Sequence, residues 1–276
     1  MIKKAFFFLV LFTVMQMQSA FAVYFGTIDY FQPWEYLEKI KKDSQHPAHK
    51  SIKKVNNAIQ ATVFLPKKGT GVLISPDGLI VTAAHVIAHA YIGAVDRCPR
   101  LNFHLNHEKN SDGEFIEHTY LECEKVLVYD YAHDFALIKV KKPESINKLP
   151  FVKMAHLPDG PKEDSWAFIL GHPKANSWNA SAKVVSEGPI VYNGRDIKEL
   201  PHFLHLIDTE GGHSGSPVFN KKAQLVGVHF RGIPHYGTGV KGRLNGKVQK
   251  FHTFNVAIDM GFLYHEYKEL FDQFLP

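Results

Sequence analysis

From Ala58 to Ala257 the chain is cut into short runs rich in β-branched and aromatic residues. They fall at 61–65, 71–75, 79–82, 125–129, 135–140, 166–170, 183–186, 203–208, 217–219, 225–230 and 253–257, with Gly, Pro, Asn and Asp between them. Runs of this length are too short for amphipathic helices, and their regular punctuation predicts strands of a sandwich or barrel. Ser75-Pro76-Asp77-Gly78 lies between two apolar runs. Pro76 presets φ there and Gly78 supplies a positive φ, so this is a turn. The tail at 260–275 changes period. Phe262, Leu263, Tyr267, Leu270, Phe271 and Phe274 recur at helical spacing, which predicts one terminal helix. The fold class is all-β with a C-terminal α-helix.

Two segments precede the strands. Residues 1–22 carry Lys3 and Lys4, an apolar run from Ala5 to Met15, and the small-x-small triplet Ala20-Phe21-Ala22. This is the layout of a cleaved export leader, and the run is short for a bilayer span. A mature chain starting near Val23 is expected, secreted or periplasmic. Residues 23–57 are rich in Lys, His and polar groups, punctuated by Pro33 and Pro47, with weak helical periodicity over 34–40. They are either a propeptide or an N-terminal arm.

A 276-residue chain with 45% hydrophobic residues has material for a sizeable core. Its net charge of +5 is spread in scattered lysine pairs. Nucleic-acid binding needs a concentrated basic stripe, so no nucleic-acid partner is expected. Cys98 and Cys123 are the two cysteines. In an exported chain an even count favours a disulfide, against the alternative of two buried thiols.

Three short windows carry the chemistry. In Val81-Thr82-Ala83-Ala84-His85-Val86, a strand runs through small residues into a histidine. In His133-Asp134-Phe135-Ala136-Leu137-Ile138, a carboxylate heads an apolar strand. In Gly211-Gly212-His213-Ser214-Gly215-Ser216-Pro217, a serine sits in a glycine-flanked turn. Each is weak alone, but His, Asp and Ser in this order are one known arrangement of a nucleophilic triad. A serine hydroxyl needs a base within hydrogen-bond reach. His85 would take the proton, and Asp134 would hold the imidazole in the required tautomer. The backbone N–H groups of Gly212 and Ser214 would form an oxyanion hole, where losing one donor costs about 3–4 kcal/mol. Asp130 competes with Asp134, but only Asp134 directly precedes the Phe-Ala-Leu-Ile run.

These windows resemble the trypsin-like peptidase superfamily. The stretch from Asp208-Thr209-Glu210-Gly211 through Ser214 to Asn220, with Val226-Gly227-Val228-His229-Phe230-Arg231-Gly232, resembles its V8-like glutamyl endopeptidase branch. The opening from Gly69-Thr70-Gly71 to His85 also resembles the HtrA branch, although the stretch after Ser214 is short for a PDZ domain. The resemblance implies two six-stranded antiparallel barrels, near 58–150 and 151–258, with the active site between them. It implies a serine endopeptidase acting on protein or peptide substrates, with no cofactor or metal and no stable membrane span once the leader is removed. A monomer is expected. The sequence departs from the family at His213, where Asp or Asn is usual, and at Arg231, where glycine is frequent. His213 cannot pair with a freed N-terminus as an Asp there does in trypsin.

The same resemblance implies that Thr209 and His229 bind the side chain of the residue before the cleaved bond. A hydroxyl and an imidazole N–H both suit a carboxylate, so cleavage after Glu, then Asp, is expected. Phe230, Arg231 and Gly232 would offer backbone groups to an extended substrate. Asp208 as a pocket floor would instead select Lys or Arg. A non-catalytic binding protein on the same scaffold is a further alternative, as is a histidine-rich metal binder built on pairs such as His85 with His89, His104 with His107, or His202 with His205.

Overall fold

The computed structural model describes residues 25, 29–87, 98–156, 160–174, 182–194 and 201–275. The leader at 1–22, the expected mature start at Val23, and His89 lie outside them. Six strands close the first barrel: β1 (Thr62–Leu65), β2 (Gly69–Leu73), β3 (Leu79–Thr82), β4 (Asn102–Leu105), β5 (Thr119–Asp130) and β6 (Phe135–Val140). Neighbours pair antiparallel in the order β1-β2-β3-β6-β5-β4. β1, β2 and β3 are buried along their whole length, which accounts for the apolar character of β1 and β3 and for the small residues Gly69 and Gly71 in β2. The expected turn is present: Gly78 has φ +95° and its N–H reaches the Ser75 carbonyl, while the Ser75 hydroxyl accepts from Leu79 N–H at 3.0 Å.

The second barrel closes as β10-β11-β14-β9-β8-β7, from β7 (Ser165–Gly171), β8 (Val184–Asn193), β9 (His202–His205), β10 (Pro217–Asn220), β11 (Leu225–Ile233) and β14 (Phe254–Asp259). Between β11 and β14 a hairpin of β12 (Val240–Leu244) and β13 (Lys247–Phe251) projects. Closure leaves few free edges. Phe168 and Phe219 stack at 5.0 Å, and both are fully buried in the core that runs through both barrels and the helices.

The segment before the barrels is folded. Helix α1 (Pro33–Lys42) has Pro33 in its first turn, where a missing N–H costs nothing, and Glu35 reaches back to the N–H of Gln32. It buries Tyr36 and Ile40. A 3₁₀ turn (His49–Ser51) leads into α2 (Ile52–Ala61), which buries Val55, Ala58 and Ile59. Ala61, expected at the start of a strand, is instead the last residue of α2. Glu187 on β8 ties α1 down: it receives Lys39 at 2.6 Å and the Tyr36 hydroxyl at 2.8 Å, and His46 lies at 3.1 Å. Lys183 has a fully buried side chain that donates to the Ile59 carbonyl at 2.7 Å and to Glu108 at 3.0 Å.

After the short helix α3 (Ala84–Ile87) and the barrels come α4 (Met260–Glu266) and α5 (Lys268–Phe274), two helices where the periodicity predicted one. Tyr267 separates them at φ −114°, ψ 31°, outside the helical region. Cys98 and Cys123 are joined in a disulfide with Cα atoms 5.1 Å apart. No helix among the described residues is long and apolar enough to cross a membrane.

Candidate active site

β3 leaves the first barrel through Thr82-Ala83 and turns into α3, which begins at Ala84 and carries His85. Across from it, Asp134 heads β6 in the left-handed region, at φ +53°, a conformation that Asp tolerates better than most residues. This bend aims both carboxylate oxygens at one residue. Oδ1 accepts the backbone N–H of His85 at 2.9 Å, and Oδ2 meets ring Nδ1 at 2.6 Å. An ionised carboxylate only accepts, so Nδ1 carries the proton and Nε2 is left with its lone pair. The His85 side chain is 41% exposed, so that lone pair is accessible. Asp130 is otherwise engaged. It takes the Tyr267 hydroxyl at 2.7 Å and His133 Nδ1 at 2.5 Å. Burial alone would raise its carboxyl, and those two partners outweigh it and hold it below the usual carboxylate range.

Ser214 follows a turn over Glu210–His213, closed by His213 N–H to the Glu210 carbonyl at 3.0 Å. Gly212, third in that turn, has φ +105°, the signature of a type II turn, which is strained for any residue with a Cβ. Lys174 N–H holds the Gly211 carbonyl at 2.5 Å. In a trans peptide the following N–H points the opposite way, so Gly212 N–H is turned away from Lys174. Among the described residues neither that N–H nor the one of Ser214 has an acceptor. Two donors without an acceptor among the described residues thus bracket His213.

Two glycines bring the histidine and serine windows together. A Cβ on Gly69 would lie 2.5 Å from the Ser214 carbonyl and 3.1 Å from the Val86 side chain. A Cβ on Gly215 would lie 2.1 Å from both the Thr70 carbonyl and the Thr82 hydroxyl. Thr70 N–H donates to the Ser214 carbonyl at 2.9 Å, its hydroxyl donates to the Gly212 carbonyl at 3.1 Å, and the Thr82 hydroxyl donates to the Thr70 carbonyl at 2.7 Å. The Ser214 turn is thus stitched to β2 and to the end of β3, two residues before Ala84.

The residues expected to choose the substrate have mixed fates. His229 is buried beside His205, its Nδ1 3.3 Å from His205 Nε2. His205 Nδ1 accepts from Ile207 N–H at 3.3 Å. That bond assigns the remaining protons: His205 Nε2–H donates to His229 Nδ1, so His229 carries its own proton on Nε2. Burial pushes His205 down to about 3 and His229 well below the ordinary histidine value, so both are neutral at neutral pH. Thr209 does not offer the free hydroxyl proton expected of it. That proton goes to Asn255 Oδ1 at 2.9 Å, and Asn255 is oriented by donating to the Ile207 carbonyl at 2.7 Å. Asp208 accepts from Phe25 N–H at 2.7 Å and Asp29 N–H at 3.2 Å, one on each oxygen.

Arg231 lies over Phe230, 5.4 Å from the ring centroid, within electrostatic reach of Asp134. Arg231, Gly232 and Ile233 pair with β14 on one side, and β10 stops short of them on the other. Their second edge has no strand partner among the described residues. His104 and His107 pack edge to face in a ring cluster with His118 and Phe64, and His202 packs on Phe230. No group of three or more metal-ligating side chains among the described residues is arranged around a common point. The sequence gives no role to Asn255 or to the Thr70 hydroxyl, and it offers His205 only as a metal partner of His202. Only the His202-Phe203-Leu204-His205 alternation places His205 on one face of a strand, and nothing local ties it to His229.

The family model for the trypsin-like peptidase domain matches residues 69–228, more than half of the chain. A Rickettsia prowazekii (strain Madrid E) protein named "Probable periplasmic serine endoprotease DegP-like" is 30% identical over 178 residues, covering 62% of this chain and 29% of that one. The chain therefore spans about three tenths of that relative's length. Glutamyl endopeptidase of Staphylococcus epidermidis is 26% identical over 199 residues, covering 68% of this chain and 62% of that one. The crystal structure of Deg5 shares the fold at a TM-score of 0.55 and 18% identity, over 82% of this chain and 96% of that one. On the span and position of the family match, which takes in the windows of His85, Asp134 and Ser214, this chain belongs to the trypsin-like peptidase domain family.

Proposed function

We propose that this chain is an exported serine endopeptidase that cleaves after Glu and, less well, after Asp. The observation that carries the enzymatic reading is the double grip of Asp134 on His85, which leaves ring Nε2 as an exposed base. In the proposed reaction Nε2 takes the Ser214 hydroxyl proton as Oγ bonds to the scissile carbonyl carbon. The carbonyl π pair moves to oxygen, where the Gly212 and Ser214 N–H groups receive it. The imidazolium then gives its proton to the amine nitrogen as the C–N bond breaks. Water repeats the sequence on the acyl-enzyme, and Ser214 is restored. The unpartnered edge of Arg231–Ile233 suits an extended substrate chain added as a strand, with Phe230 and Gly232 beside it.

The Glu preference rests on His229. The proton order from Ile207 through His205 supplies it with an Nε2–H donor, and a carboxylate is the acceptor that gains most from one. Thr209 contributes shape, because its proton is committed to Asn255. The rival selection of Lys or Arg by Asp208 is disfavoured, since both oxygens of that carboxylate are already occupied by arm N–H groups. Export is supported by the leader-like residues 1–22, by the Cys98–Cys123 disulfide, which suits an oxidising compartment, and by the periplasmic relatives. A peptide-library digest read by mass spectrometry tests the proposal. Cuts after Glu that vanish in Ser214→Ala are expected. Cuts after Lys or Arg would overturn the pocket assignment, and an unselective pattern would overturn the role of His229.

A further inference from the structure

The arm ahead of α1 reaches the far side of the nucleophile turn. Phe31 forms an antiparallel bridge with Val185 on β8, with both N–H to carbonyl bonds at 2.9 Å. The Glu187 cluster with Tyr36, Lys39 and His46 fixes α1 just beyond. From this anchor Tyr30 stacks on the His213 ring, with centroids 5.5 Å apart and planes 28° apart. Phe25 and Asp29 donate their N–H groups to the two oxygens of Asp208. Asp208 enters the turn and His213 immediately precedes Ser214, so the arm holds it at both ends.

The fit at His213 is close. Its ring is fully buried, with Tyr30 against it and Gly171 also in contact, where a Cβ would come within 2.3 Å of ring Cδ2. No side chain larger than hydrogen fits at position 171. Within the turn itself, Gly212 and Gly215 both have positive φ, and glycine backbones are the easiest to distort. The orphan N–H groups flanking His213 must keep their direction to receive an oxyanion, and the ring between them is what the arm grips.

We infer that arm residues Phe25, Asp29 and Tyr30 are a built-in brace for the nucleophile turn, with Tyr30 a positioning residue that acts through His213. The inference rests on the reading of Ser214 as nucleophile. It makes the arm part of the working domain instead of a propeptide to be discarded. The Asp208 carboxylate is engaged by backbone N–H groups of residues inside the chain, a bond that needs no freed terminal amine.

The test compares full-length protein with Tyr30→Ala, Tyr30→Leu and Tyr30→Phe. Tyr30→Leu keeps apolar bulk without a ring face and serves if Tyr30→Ala fails to fold. Misplacing a catalytic group by an ångström costs on the order of 100-fold. Tyr30→Leu is therefore expected to lower the fluorophosphonate labelling rate and kcat by about 10- to 100-fold, with KM changed much less. Tyr30→Phe, which keeps the ring, is expected to restore both. Amide exchange at 210–216, measured in a Ser214→Ala background, should accelerate in Tyr30→Leu and not in Tyr30→Phe. Folded Tyr30→Leu protein that labels at the wild-type rate, with unchanged exchange at 210–216, would overturn the brace. Loss of labelling in wild type together with arm-dependent exchange would overturn the enzymatic reading and leave the brace standing.

Discussion

Asp134 holds His85 through two bonds at once, its Oδ1 on the backbone N–H and its Oδ2 on ring Nδ1. The first fixes where the residue sits, and the second fixes which nitrogen is protonated. Asp134→Asn would keep the shape and offer one donor where two acceptors stood, favouring the wrong tautomer. The expected result is a fall in kcat of about 10⁴-fold with little change in KM. Asp130→Asn is the control. It disturbs Tyr267 and His133 and is expected to lower stability while leaving kcat within a few-fold, measured by peptide kinetics beside thermal melts.

His205 sets the proton of His229, so it should matter to selectivity without touching the nucleophile. His205→Leu removes the donor to His229 Nδ1 and frees that ring to take either tautomer. Losing one buried hydrogen-bond partner costs about 1–3 kcal/mol. We expect kcat/KM on Glu peptides to fall by the equivalent, about 5- to 150-fold, while fluorophosphonate labelling stays near wild type. Equal losses in both assays would show that His205 supports the fold and not the pocket.

Buried histidines are expected to destabilise the fold in acid. Burial is the chief cause that lowers His107 and His205 to about 3, His202 and His213 to about 4, and His172 and His229 well below their ordinary value. In the unfolded chain each titrates near 6.5, at roughly the model-peptide value. Between about pH 6.5 and 4 the unfolded state therefore binds protons that the native state refuses, and unfolding becomes more favourable as pH falls. Each histidine contributes up to about 1.4 kcal/mol per pH unit, against a total stability of roughly 5–15 kcal/mol for a typical domain. Urea midpoints should be highest above about pH 6.5 and drop steeply below it. A midpoint that is flat from pH 7 to 4.5 would contradict the assigned burial.

Lys183 and Glu108 are an unequal pair, the first fully buried and the second partly exposed. Removing the exposed partner strands the buried charge. Glu108→Ala is expected to cost about 3–5 kcal/mol. Lys183→Met, which leaves a carboxylate able to reach water, should cost clearly less. Denaturant melts of the two variants decide it, and the reverse order would contradict the account.

What the sequence made legible and what it hid follow from distance along the chain. The pairing of His85 with Asp134 was legible because each sits in its own window: small residues ahead of one, an apolar strand behind the other. The strands were legible because runs such as β1, β3 and β6 are mainly apolar and short, while their division into two barrels came from the family resemblance. Strands β12 and β13 were not, because Lys241, Arg243, Lys247 and Lys250 break up their few apolar residues and most of the hairpin is exposed. Helix α2 was missed because Lys53, Lys54, Asn56 and Asn57 mask a face of only a few buried residues. The engagement of Asp208 was invisible, since its donors lie 183 and 179 residues earlier in the chain. The same holds for Thr209, whose partner Asn255 arrives from β14, 46 residues on.

Fluorophosphonate labelling with mapping of the modified residue tests the central claim most directly. The account predicts one modified serine, Ser214, in wild-type protein, and no label in a folded Ser214→Ala variant. Label on a different serine, or none on protein whose fold is verified by amide exchange, would contradict it.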